Sequence, residues 1–192
     1  RVHVVCVDAC VDKVRDANPE ALLDLNENDM CHAAQALAEM RQEEALSLLL
    51  SVLASRMHRL KVGLACQLID SAREAKCSAG GDLADALCRA LVEQEDAPGR
   101  HLAEAAEATA RLASEALYRI EPRCGLELLF QHAVRRGRDN PEILGKSLRR
   151  LVLAAERSCK SQLPALQQLE QLCQVGPTTA VERLEPAERN AT

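Results

Sequence analysis

The sequence predicts an all-helical chain, an α-solenoid of about four antiparallel helix pairs, and three observations predict it. The first is composition: 47% of residues are hydrophobic, yet there is one Tyr (Tyr118), one Phe (Phe130) and no Trp. Leu, Ala and Val must then do the packing, which suits closely stacked helices, whereas β-sheets draw on aromatic and β-branched residues. The second is frequent helix punctuation, and the third is a recurrence of leucine-led helices. An irregular helical bundle is the alternative architecture, because its helix pairs also generate loose periods. With 192 residues the chain fits one domain or one short repeat array, long enough to bury roughly 70% of its unfolded surface.

In chain order, Val4, Val7, Val11 and Val14 fall on one face of a helix over 3–16, although valines also permit a strand. Asn18-Pro19-Glu20 supplies an N-cap, a proline at the first helical position and an acid in the first turn, opening a helix over 19–25. Helices follow over 29–40 and 43–58, the second beginning with Glu43-Glu44, whose carboxylates favour a helix's positive pole. A helix over 62–76 is closed by Gly80-Gly81-Asp82, which breaks the chain and lets Asp82 cap the next helix, 81–94. There Leu83, Leu87, Leu91, Ala86 and Ala90 form an apolar stripe, with Asp85, Arg89 and Glu93 facing away. Helices over 99–119 and 123–136 come next. Asn140-Pro141-Glu142 then repeats the earlier N-terminal device and opens 141–158. Leu163, Leu166, Leu169 and Leu172 mark a last helix over 162–174, which Gly176-Pro177 terminates. Residues 1–176 thus read as one helical-repeat domain and 177–192 as a frayed tail.

The repeat rests on alternation. The second helices of four pairs lead with Leu46, Leu83, Leu126 and Leu163, spaced by 37, 43 and 37 residues. Their partners have Ala-rich centres at 32–40, 66–75, 102–113 and 145–155, where small residues let two helices approach closely. A helix-pair unit of roughly 35–45 residues is the signature of stacked repeats.

Several function classes lose support at this stage. The longest charge-free stretch considered, Ala45 to Ser55, is eleven residues with three serines, well short of the roughly 20 needed to span a bilayer. The chain begins at Arg1 rather than Met and has no signal-peptide core, so it reads as a processed protein or as part of a longer one. Nine cysteines, at 6, 10, 31, 66, 77, 88, 124, 159 and 173, are odd in number, and most sit beside Leu, Ala or Val. They are expected to pack as small hydrophobes in a reducing compartment rather than to form a disulfide scaffold.

No Gly-rich phosphate loop, GxSxG elbow or HExxH motif occurs, so the expectation is a protein that is not an enzyme and needs no cofactor. Cys6 and Cys10 lie one helical turn apart near His3, but no local group completes a metal site, and packed thiols are expected instead. Cys66, Cys77 and Cys88 are evenly spaced by eleven, yet Cys77 falls in a turn, which does not suit a twin-cysteine hairpin. Cys31 and His32 are adjacent in sequence, so their side chains diverge on a helix.

Charge is the feature that points toward a partner. The net charge is −5, but residues 1–50 carry four basic and ten acidic groups. Residues 135–160 carry eight basic groups, Arg135, Arg136, Arg138, Lys146, Arg149, Arg150, Arg157 and Lys160, against Asp139, Glu142 and Glu156. Cations near a helix C-terminus are ordinary, because they meet its negative pole. Eight in this span exceed that need and fit an RNA phosphate backbone or an acidic protein. With aromatic platforms nearly absent, base stacking is not expected, and contact with structured RNA through its backbone is.

The segment Leu25 to Met40 (LNENDMCHAAQALAEM), followed by Leu46 to Ala54 (LSLLLSVLA), resembles the degenerate helix-pair repeats of organellar RNA-metabolism proteins, the octotricopeptide and FAST-kinase/RAP-domain groups. The likeness is good over 25–57, weak over 64–174, and includes no RAP domain. The resemblance implies RNA work in mitochondria or plastids, the mitochondrial matrix first. The partners it implies are RNA and the proteins of a large assembly, the mitochondrial ribosome among them. A protein-only scaffold or adaptor is the alternative function.

Overall fold

The computed structural model describes residues 26–114, 124–158 and 164–174. Among these residues the fold is all-α, with no strand. The helices are α1 (Glu27–Glu39), α2 (Glu43–Ser55), α3 (Val62–Glu74), α4 (Gly80–Glu93), α5 (Gly99–Ala113), α6 (Cys124–Asp139), the single turn α7 (Pro141–Leu144), α8 (Ser147–Ser158) and α9 (Pro164–Gln174). A 3-10 turn at Met57–Arg59 joins α2 to α3. The helices expected over 3–16 and 19–25 and the tail at 177–192 lie outside the described residues.

The helices pack in two layers. One layer runs α1, α3, α5, α8 and the other α2, α4, α6, α9, each helix touching the next in its own layer. Each first-layer helix also packs on the helix that follows it, α7 intervening as a short spur between α6 and α8. This is the stacked arrangement of helix pairs expected of an α-solenoid, with four pairs among the described residues.

Four polar contacts between neighbouring repeats keep nearly the same period. Asp70 to Arg111, Asp85 to Gly125, Ala97 to Arg136 and Glu107 to Arg150 span 41, 40, 39 and 43 residues. Each therefore ties one repeat to the next.

Local chemistry explains the boundaries. Asn26 caps α1, its side-chain oxygen accepting from the Asp29 amide at 2.9 Å. Both α1 and α3 end in the same motif, with Arg41 (φ 54°) and Lys76 (φ 59°) in the left-handed region. Beyond each, the next amide reaches back, Gln42 to the Leu37 carbonyl and Cys77 to the Ala72 carbonyl, both at 2.9 Å. These are Schellman closures built on long basic residues rather than on glycine.

That closure corrects the expected role of Gly80-Gly81. The break falls at Lys76, and both glycines are buried inside the first turn of α4, with Asp82 in that turn rather than at the cap. The reason is packing: a Cβ on Gly80 would sit 2.8 Å from the Ala72 methyl, so α3 and α4 touch there only because the side chain is missing.

Asn140 acts as predicted, accepting from the Glu142 amide at 3.1 Å. The helix expected over 141–158 is nevertheless two pieces. Gly145 takes φ 41° and ends α7 after one turn, which re-aims α8 so that it lies along α5.

The core is one continuous cluster of Leu, Ala, Met, Ile, Val and Cys with Phe130 its largest member. Ala103, Ala105, Ala106, Ala108 and Ala110 of α5 are fully buried, which places the central first-layer helix between α3 and α8 with only methyl groups at many contacts.

Candidate interaction surface

α6 and α8 carry most of the basic segment, and their layers face opposite ways. On α6 the exposed residues are Leu128, Gln131, Arg135, Arg138 and, at its end, Asp139. On α8 they are Arg149, Leu153, Glu156 and Arg157, away from the buried Leu151, Ala154 and Ala155. Arg138 and Lys146 flank α7 at the edge where the chain crosses between layers. Arg157 lies about 12 Å farther along α8 than Arg149, given the helical rise of roughly 1.5 Å per residue. Lys160 lies outside the described residues. The structure therefore distributes the described cations over two faces and one edge instead of gathering them in a single patch.

Three of them are engaged within the protein. The Arg150 guanidinium donates to both carboxylate oxygens of Glu107, at 2.8 and 2.7 Å. This hydrogen bonding holds the Glu107 carboxyl below its usual range and raises Arg150, against opposing desolvation. Arg157 adds to the positive field around Glu107. Arg136 donates to the main-chain carbonyl of Ala97, fastening α6 to the connection between α4 and α5. Arg135 places Nη2 3.2 Å from Nδ1 of His132. Arg138, Lys146, Arg149 and Arg157 are exposed and make no ion pair with a described residue.

The Arg150–Glu107 pair has a twin. Arg111 donates to both oxygens of Asp70, at 3.0 and 2.7 Å, and Arg73 approaches the same carboxylate at 3.7 Å. A strip of alternating charge therefore crosses α3, α5 and α8 on the outer side of the first layer. Sequence reasoning missed it, although the signal was present: an acid answered by an arginine one repeat later. Also missed was Asp85 of α4, which accepts from the Gly125 amide at 3.0 Å and so caps α6 from a neighbouring helix.

Four of the described cysteines behave as packing groups, whereas Cys173 is exposed on α9, contrary to expectation. Cys31, Cys77 and Cys88 are buried, and Cys66 is half-buried. Burial pushes the Cys31 thiol up to about 11 and those of Cys66 and Cys88 to about 12, so all three are protonated at neutral pH. Cys77 sits in the turn before α4, where the sequence placed it. Among the described residues no group of three His, Cys, Asp or Glu side chains is placed to hold a metal ion. The Cys6–Cys10–His3 set lies outside them. Among the same residues no helix is long and apolar enough to cross a membrane.

Fold and surface define the class: an all-α protein of stacked helix pairs whose first layer is fastened by charge pairs from one repeat to the next. Comparison with family models, with curated proteins and with solved structures finds no match.

Proposed function

We propose that the chain is a non-catalytic helical-repeat scaffold that binds or stabilises RNA within an RNA–protein assembly. The observation that carries this reading is the set of exposed cations left after the internal pairs are removed: Arg138, Lys146, Arg149 and Arg157. Their spread over two faces and an edge suits a subunit touching phosphates at separate points, not one threading a strand through a groove. Near-absence of aromatic residues agrees, since backbone contact needs charge and no stacking platform. A mitochondrial setting, with the mitochondrial ribosome as the assembly, belongs to the proposal through the likeness of residues 25–57 to organellar repeats.

A protein-only scaffold is the second reading. Commitment of Arg136 and Arg150 to internal partners and the net charge of −5 favour it. Recovery of the tagged native protein with and without ribonuclease separates the two. RNA and proteins recovered together, with RNA affinity falling steeply as salt rises, support the first reading. A ribonuclease-resistant protein set without RNA sinks it in favour of the second. Replacing Arg138, Lys146 and Arg149 with Glu then lowers the salt slope by roughly one per lost phosphate contact if those residues meet phosphate.

A further inference from the structure

His132 occupies an unusual position. It is 5% exposed, on the side of α6 that meets the connection between α4 and α5. Its Nδ1 lies 3.2 Å from the Arg135 guanidinium. A guanidinium only donates, so Nδ1 must accept, which fixes the neutral tautomer with the proton on Nε2. That Nε2 is buried and has no hydrogen-bond partner among the described residues. One turn along, Arg136 donates to the Ala97 carbonyl, so His132 and Arg136 stand at the same junction.

We propose that His132 is a proton-operated latch: uptake of a proton at Nδ1 breaks the Arg135–His132 hydrogen bond within α6, and the new cation repels Arg136, whose bond to the Ala97 carbonyl holds α6 to the 94–98 connection. The neutral ring offers Arg135 an acceptor. The imidazolium turns that acceptor into a donor facing a guanidinium, and a buried third cation then stands beside Arg135 and Arg136. The proton comes from solvent and no covalent bond other than N–H is made or lost.

Among the described residues the charges acting on His132 are Arg135 and Arg136 of its own helix and Glu95 of the connection, and no group of α4, α5, α7 or α9, the other helices packed on α6, is among them. Desolvation acts first in disfavouring the charged ring, the two arginines add to it, and Glu95 partly opposes them, so the folded value falls below 6.5. The sign follows. The folded chain holds the proton less tightly than the unfolded chain. The stabilisation is therefore complete above pH 6.5 and is lost as pH falls from there toward the folded value.

The test uses the full chain. Proton NMR of the His132 ring gives its folded titration midpoint. Hydrogen exchange, corrected for the intrinsic effect of pH, is followed at residues 94–99 and 132–139 between pH 7.5 and 5. The expected result is a midpoint below 6.5 and opening that increases at these segments by up to about tenfold per pH unit, the limit for one proton. In His132→Asn, whose side-chain oxygen still accepts from Arg135 but does not titrate, opening is independent of pH over this range. A midpoint at or above 6.5, or the same pH response in His132→Asn, overturns the proposal. If the variant does not fold, the ring titration and exchange of the unaltered protein decide it alone.

Discussion

The outer side of α5 and α8 and the edge around α7 use the same residue types in opposite ways. Across α3, α5 and α8 two arginines meet a carboxylate from the neighbouring repeat: Arg111 with Asp70, Arg150 with Glu107. At the edge, Arg138, Lys146 and Arg149 have no such partner among the described residues. In sequence the two groups are interleaved, since Arg149 and Arg150 are adjacent. On α8, consecutive residues stand about 100° apart, so one turns toward α5 and the other away from it. A cluster of positive residues in sequence is thus no measure of a positive patch. What matters is whether the adjacent repeat presents an acid at the same height.

The largest expected effect lies beneath both regions and calibrates them. Phe130→Ala removes the largest fully buried side chain and should cost about 3–5 kcal/mol in urea denaturation. A loss below about 1 kcal/mol would mean that α6 is not anchored as described.

Next comes the paired face. Glu107→Gln and Arg150→Met in a double-mutant cycle should show a coupling of about 1 kcal/mol or less, because Arg150 remains partly exposed to solvent. The pair also carries a pH signature. With the Glu107 carboxyl held below the ordinary 4.5, its stabilisation is present above that pH and is lost as pH falls through the lower folded value. The stability gap between the native chain and Arg150→Met should therefore shrink between pH 5 and strongly acidic solution. A gap that stays constant would show that Arg150 acts through packing alone.

Smaller still is the gain expected where a basic residue adopts the left-handed conformation. Lys76→Gly should stabilise by up to about 1 kcal/mol, since glycine takes this conformation without steric cost. Loss of stability would mean that the lysine's interaction with the helix end outweighs that relief.

The edge should show the smallest stability effect and the largest effect on binding. Arg138→Glu with Arg149→Glu should change stability by no more than about 0.5 kcal/mol each. Arg150→Glu, by contrast, places two carboxylates together and should destabilise. If the edge pair destabilises as much as Arg150→Glu, the contrast between the regions fails.

By itself the sequence determined the all-α class, the four helix pairs near a 40-residue period and most helix boundaries within a few residues. These follow from local signals: apolar spacing, N-cap residues such as Asn140, and the scarcity of aromatics. Only the tertiary structure decided that Gly80-Gly81 lies inside a helix, that Gly145 divides 141–158, and that Arg136 and Arg150 serve internal partners. The glycine pair and the two arginines depend on an atom roughly one repeat away or on a second helix: the Ala72 methyl, the Ala97 carbonyl, the Glu107 carboxylate. Nearest-neighbour spacing along one helix carries no record of such contacts, because they are fixed by how far successive helix pairs slide past one another when the core closes.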